Sequence, residues 1–360
     1  MERARRTELD GLRALAALIV LVAHVSNEVK LWGGLLGHGS GKVGVMIFFC
    51  LSGYLMGALY LDRKPHLPDL LRYGVHRLSR IAPLYLAVVF VSLVCGVVFT
   101  HSIFYGVTGQ NLFLHLTFQR GSGVLWTIPV EVQFYVCFAA LWIVRSGARW
   151  AFILLCAGLI PLLWYKTEDA GRIGSTLLAW APYFLTGLLV SCIPERSAPS
   201  RLMDVCWSGA FVVIAGATLV LFPQIAFAIG GLKLTNSVQL QPWHNPWSYL
   251  LVGLLLATTL RAPIARALLG NAPMVYAGAI SYSLYLLHMP VIRVLKAATP
   301  LEQWPEAFLV AATLLTGLAA TLVFHYFEDP VRRRLNKLAE RAPLMRRSRS
   351  EAIKTNTAQS

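Results

Sequence analysis

The sequence predicts an all-α fold, a polytopic membrane bundle of about ten helices. Two observations carry this. Of the 360 residues, 56% are hydrophobic and only 14% are charged, where a soluble domain carries about 25% charged residues. Apolar stretches of about 20 residues also recur from end to end, the length that crosses a bilayer as a helix. A third point excludes strands: each run is too long and too apolar, and only a helix satisfies its own backbone in lipid without closing a barrel.

In chain order the predicted spans are 9–28, 43–61, 81–99, 124–144, 150–165, 176–193, 206–222, 247–260, 276–292 and 307–327. The fifth and eighth are the shortest. An even count puts both termini on one side. Taking that side as the cytoplasm assigns it 24 of the Lys and Arg residues and leaves eight on the other. Basic residues concentrate in cytoplasmic loops, so the distribution supports this orientation. It also accounts for the net charge of +15 without a nucleic-acid partner, which a basic soluble domain would suggest. Met1–Arg6 followed by an apolar run resembles a signal peptide, but Arg13 interrupts the run and no small-residue cleavage site is clear. The expectation is an uncleaved first helix.

Residues 1–335 are therefore expected to form the membrane domain. Residues 336–360 are expected to form a basic cytoplasmic tail, helical at first and disordered by Ser348. The sequence has no evident internal repeat, GxGxxG or P-loop. Six scattered cysteines, none in a CxxC pair, read as small core residues, with no disulfide framework and no metal site.

Ionisable residues inside apolar helices cost a few kcal/mol each by insertion scales, so each needs a reason. Arg13 and His24 are eleven apart in the first helix. Eleven steps of about 100° return to within about 20° of one face, with a rise of about 16 Å, half the hydrocarbon thickness. Arg13 then sits near the cytoplasmic surface and His24 at or beyond the midplane. A lone histidine is often satisfied by a neighbouring carbonyl; the arginine on the same stripe favours function. Glu131, about two turns into the fourth helix behind Pro129, is expected at a similar depth and able to meet His24. Its bland role is to partner a buried arginine. Arg77 and Arg80, three apart, share a helix face at the mouth of the third helix. They suit either headgroup anchoring or phosphate binding, where arginine forks match paired oxygens. Ser281, Tyr285 and His288 form a polar stripe on the ninth helix. Glu328 and Asp329 precede Pro330 and three arginines, where a local ion pair is expected.

Six segments together resemble the acyltransferase-3 family of integral membrane O-acyltransferases. They are Leu9-Asp-Gly-Leu-Arg13 with His24, Gly44 to Tyr54 containing Ser52-Gly53-Tyr54, Arg77 to Tyr85, Trp126 to Tyr135, Ser281 to Pro290, and Glu328-Asp-Pro330. They occur in the family's order across nearly the whole chain. Val132 and Met46 stand where members often carry an acidic residue, so the departures fall beside Glu131 and Gly44. With no fused outer hydrolase-like domain in the sequence, the expectation is the minimal form of the family.

The resemblance implies transfer of an acyl group, usually acetyl from acetyl-coenzyme A, to a hydroxyl of a saccharide acceptor, in the bacterial cytoplasmic membrane. Arg13, Arg77 and Arg80 would hold the coenzyme A phosphates, with Ser52 and Tyr54 along the donor path. A free histidine titrates near 6.5, which suits a general base at neutral pH. His24 would take the acceptor's proton, with Glu131 orienting the imidazole or sharing the proton. A covalent acyl-histidine is the alternative route. Segment 223–246 is the longest predicted outer loop and leads into Gln241-Pro-Trp-His-Asn-Pro-Trp247, whose aromatic rings suit sugar stacking and at least as well a membrane-interface belt. The rival function is a transporter or flippase of lipid-linked saccharides, which also uses buried Arg, His and Glu. Such proteins often show inverted repeats, and none is evident here.

Overall fold

A computed structural model of the chain describes residues 5–98, 104–169, 176–194, 200–230 and 245–341. Fifteen α-helices follow one another: α1 (Thr7–Val29), α2 (Gly41–Tyr60), α3 (Leu67–Val98), α4 (Gly109–Leu116), α5 (Thr127–Gly147), α6 (Arg149–Asp169), α7 (Leu177–Ser191), α8 (Arg201–Ala217), α9 (Pro223–Gly230), α10 (Pro246–Thr259), α11 (Pro263–Leu269), α12 (Ala272–Ala279), α13 (Ser281–Ala298), α14 (Pro305–Val323) and α15 (Asp329–Arg341). There is no strand among the described residues.

Each predicted span falls on helical segments, and among the described residues seven helices are long and apolar enough to cross a membrane, or nine if two bent pairs each count as one span. The bent pairs are α10 with α11, at 90°, and α12 with α13, at 72°. Helix α7 is apolar too but shorter, at 15 residues. Helix α3 starts 14 residues before the predicted 81, because Leu67–Arg80 is helical although its charges exclude it from the apolar core. At about 1.5 Å per residue its 32 residues exceed the roughly 30 Å of hydrocarbon, so the polar end projects beyond it. The tail from 342 onwards, and residues 231–244 of the predicted outer loop, lie outside the described residues; 223–230 of that loop form α9.

The chain divides into two units. The first comprises Met1–Leu59 and Ile153–Ala320. Its most buried spans are α1 and α2, 61% and 67% buried, whereas the α8 span is only 17% buried and exposes Val205, Val212 and Val213. An apolar surface of that extent is unusual for a soluble protein and is what lipid covers. Of the ionisable residues on α1, Glu8 is buried, and Asp10, Arg13, His24 and Glu28 are half-buried. Glu8 and Asp10 open α1 at the end where a helix favours negative charge. Lys30 closes it in the left-handed region (φ 52°). Helices α2 and α7 cross closely enough that a Cβ on Gly53 would meet the Phe184 carbonyl, and one on Gly187 the Cys50 carbonyl. Small residues at such crossings let backbones approach in membranes.

The second unit comprises Tyr60–Phe152 and Thr321–Ser360. Its core is an aromatic cluster in which Tyr73 meets Tyr60, Phe138 and Trp142, with centroids 5.0, 5.3 and 6.2 Å away. The Trp142 indole N–H donates to the Arg63 carbonyl at 2.7 Å. Helix α15 is fastened to α3 by the Ser79 hydroxyl donating to Asn336 Oδ1 at 2.7 Å. As expected for the Glu328–Asp329 pair of acids, Asp329 is ion-paired locally, with Arg332 and with Arg333.

Candidate functional site

In the first unit the polar stripes of α1 and α13 face one another. Arg13 Nη2 donates to Ser281 Oγ at 3.2 Å, and its Nη1 lies 3.8 Å from Asp10 Oδ1. Eleven residues along α1, the His24 ring lies 4.9 Å from the His288 ring, centroid to centroid, at an interplanar angle of 56°. Beyond it, Lys296 Nζ is 3.0 Å from Glu28 Oε2. The rungs ascend both helices together, so α1 and α13 run parallel.

His24 is half-buried, and its Nδ1 lies 2.8 Å from the Val20 carbonyl. A carbonyl only accepts, so this bond fixes the proton on Nδ1 and leaves the Nε2 lone pair as the base of the neutral ring. The expected alternative, satisfaction by a carbonyl, thus applies to one nitrogen and prepares the other. His288 is fully buried and built the same way, with Nδ1 2.6 Å from the Tyr285 carbonyl. Its Nε2 is buried without a hydrogen-bond partner among the described residues. The Tyr285 ring lies 5.7 Å from the His288 ring and 6.1 Å from Phe48 of α2.

Ser52 and Tyr54 flank Gly53 where α2 meets α7. Tyr54 is buried and Ser52 half-buried. Next to them Phe49 stacks on Phe184, centroids 4.5 Å apart.

The second unit gathers the other predicted residues. The Tyr135 hydroxyl donates to Glu131 Oε1 at 2.7 Å, and the Tyr73 hydroxyl donates to the Tyr135 carbonyl at 3.0 Å. Glu131, Arg77 and Arg80 all lie within electrostatic reach of the Tyr135 hydroxyl. Arg77 is buried, with its guanidinium 5.5 Å above the Tyr60 ring and its Nε unpartnered among the described residues. Arg80, one turn on, is half-buried. This cluster offers a carboxylate with one oxygen held and two guanidinium groups, the donor set for phosphate oxygens.

Sequence reasoning passed over Tyr135 and the pairing of His288 with His24. Tyr135 was findable, since it lies one helical turn after Glu131. The His24–His288 contact was not, because two stripes on separate helices do not reveal which faces which.

The profile of the acyltransferase-3 family, described as an acyltransferase domain, matches residues 6–326. The chain belongs to this family. Among similar proteins, YrhL of Bacillus subtilis is 26% identical over 368 residues, 90% of this chain and 54% of its own. OatA of Staphylococcus aureus, named an O-acetyltransferase, is 25% identical over 91% of this chain and 57% of its own. OatA of Listeria monocytogenes, named a peptidoglycan O-acetyltransferase, is 25% identical over 90% of this chain and 55% of its own. The chain spans about half the length of the curated relatives it matches. No solved structure matches it.

Proposed function

We propose that this chain is a multi-pass O-acetyltransferase of the bacterial cytoplasmic membrane, moving an acetyl group from acetyl-coenzyme A to a hydroxyl of a saccharide. The names of the relatives favour peptidoglycan as the acceptor class. The observation that carries the reading is His24: an imidazole inside a buried membrane helix, its Nδ1–H held by Val20 at 2.8 Å, with Arg13 on the same stripe.

In the proposed reaction the acceptor O–H proton passes to His24 Nε2 as the oxygen bonds to the acyl carbon. The carbon–sulfur bond breaks, and sulfur takes the proton to leave as the coenzyme A thiol. The protein ends unchanged. Arg13, Arg77 and Arg80 are assigned to the donor's phosphates, with both termini on the cytoplasmic side where that donor is made. Ser52 and Tyr54 are assigned to the donor path. Glu131, its Oε1 held by Tyr135, is assigned to proton handling in the same reaction.

The test uses purified protein in lipid nanodiscs with acetyl-coenzyme A labelled in the acetyl group and muramyl oligosaccharides from digested peptidoglycan. Label should appear on the oligosaccharide as an alkali-labile ester, in step with release of thiol. Absence of both products would remove the assignment; thiol release with label on another acceptor would revise the saccharide alone.

A further inference from the structure

His288 is a costly residue to place where it lies. It is fully buried, its Nδ1–H is given to the Tyr285 carbonyl at 2.6 Å, and its Nε2 is buried with no hydrogen-bond partner among the described residues. A phenylalanine would fill the same volume without an orphaned acceptor. The ring that carries this nitrogen packs against that of His24, with centroids 4.9 Å apart. Both rings give Nδ1–H to their own helix, so both present Nε2 lone pairs and neither can donate from that nitrogen while neutral. With both rings neutral, the pair has no proton to share.

The surrounding charges do not supply it. Glu28 and Arg293 are the charged groups within reach of His24. Glu28 is engaged by Lys296 at 3.0 Å, a cation that also lies 3.9 Å from Glu302. Arg293, within electrostatic reach of both rings, carries positive charge and is no proton acceptor. On the α2 side the wall is Gly41, where a Cβ would stand 3.6 Å from His24 Cε1.

We infer that His288 is the proton-sharing partner of His24: the proton that His24 takes from the acceptor hydroxyl is held between the two imidazoles until the leaving sulfur accepts it. This rests on the reading of His24 as the base. The acceptor O–H bond breaks, the proton joins the imidazole pair, the oxygen–acyl bond forms, the carbon–sulfur bond breaks, and the thiolate recovers the proton. His288 acts through His24 and is a positioning residue.

Asparagine and glutamine separate the two ring nitrogens. His288→Asn keeps a donor at the Nδ1 position for Tyr285 and has nothing at the Nε2 position. His288→Gln places an amide acceptor at the Nε2 position. Both are polar and smaller than the ring, so they share any cost of repacking. In nanodiscs, with acetyl-coenzyme A and muramyl oligosaccharides, His288→Asn should lower kcat by about 100-fold while KM for acetyl-coenzyme A stays within about twofold. His288→Gln should recover to within about tenfold of the wild type. The inference is overturned if His288→Asn stays within about threefold of the wild type, or if Gln is as slow as Asn at equal amounts of folded protein. Activity of His24→Ala distinguishes the two levels. A dead His24→Ala beside a normal His288→Asn removes only the partner role, and an active His24→Ala removes the base reading beneath it.

Discussion

His24 and His288 meet across the parallel helices α1 and α13 with ring centroids 4.9 Å apart, each having spent its Nδ1–H on a carbonyl of its own helix. The pair is the middle rung of a polar seam, between Arg13 on Ser281 and Lys296 on Glu28. Holding both rings by short-range bonds within their own helices fixes the tautomer before any substrate arrives. That is the preorganisation a general base requires.

His24→Ala should abolish transfer, a loss of about 10²- to 10⁴-fold for a removed general base. Its abundance in the membrane should stay near wild type, because the half-buried ring's hydrogen bond is to its own helix. Transfer rate per unit of protein, measured beside a quantitative blot of the membrane fraction, checks this. A variant with full activity would show that the proton goes elsewhere.

Arg80→Ala should raise KM for acetyl-coenzyme A by about tenfold with little change in kcat, as expected when one charge-assisted phosphate contact is removed. S-acetyl-pantetheine lacks the nucleotide phosphates, so wild type and Arg80→Ala should use it equally poorly. Equal KM values for the full donor would return Arg80 to headgroup anchoring. Arg77→Ala is the less clean variant, because buried Arg77 also covers the Tyr60 ring.

Tyr135→Phe removes a single hydroxyl, the one that donates to Glu131 Oε1 at 2.7 Å. Transfer should fall by about tenfold, with a change in stability of about 1 kcal/mol. Glu131→Gln should fall further. The double variant should be no worse than Glu131→Gln alone, because groups that act as one unit are not additive. Additive losses would mean that the hydroxyl and the carboxylate work independently. The three rates and three melting temperatures decide it.

What the sequence showed and what it hid divide on physical grounds. Hydropathy located the candidate spans among the described residues, because lipid burial is written in each residue. It placed the start of α3 too late, because the charged stretch from Leu67 through Asp69 and Arg72 is helical and projects past the apolar layer. It also missed the bends. The break between α12 and α13 at Ile280 has no proline; Pro290 lies ten residues later inside the unbroken α13. Next to the break, Gly278 packs so closely on the Asp10 carbonyl that a Cβ would collide with it. That contact joins residues 268 apart in the chain, and no local pattern encodes it. The same holds for the site. Arg13, His24 and the Ser281–Tyr285–His288 stripe were each visible from helical spacing, but their facing was not.

Gly53→Val tests the close crossing of α2 and α7. A side chain there would strike the Phe184 carbonyl, and backbone cannot yield as a flexible side chain does. The helices would have to part, loosening the Phe49–Phe184 stack at 4.5 Å. Overpacking of this kind costs about 1–3 kcal/mol, occasionally more. The melting temperature in nanodiscs should fall clearly, and Gly74→Val, where the space is open, is the control that should not match it.

His115 carries the pH prediction. Helix α4 is not among the candidate spans, yet the ring is almost completely buried. Its Nδ1 is 3.1 Å from the Tyr85 hydroxyl and its Nε2 3.0 Å from Ser122 Oγ. Burial disfavours the charged ring and lowers the pKa of His115 from its usual 6.5. The unfolded chain therefore binds this proton at higher pH than the folded one. As pH falls through 6.5 the unfolded state gains protons first and stability drops. The wild-type melting temperature should decline from about pH 7.5 to about pH 5.5. His115→Gln, which keeps an amide near both hydroxyls and cannot titrate, should start lower and decline less. The difference between the two slopes isolates this one ring from the other histidines. Equal slopes would show that the acid sensitivity of the fold arises elsewhere.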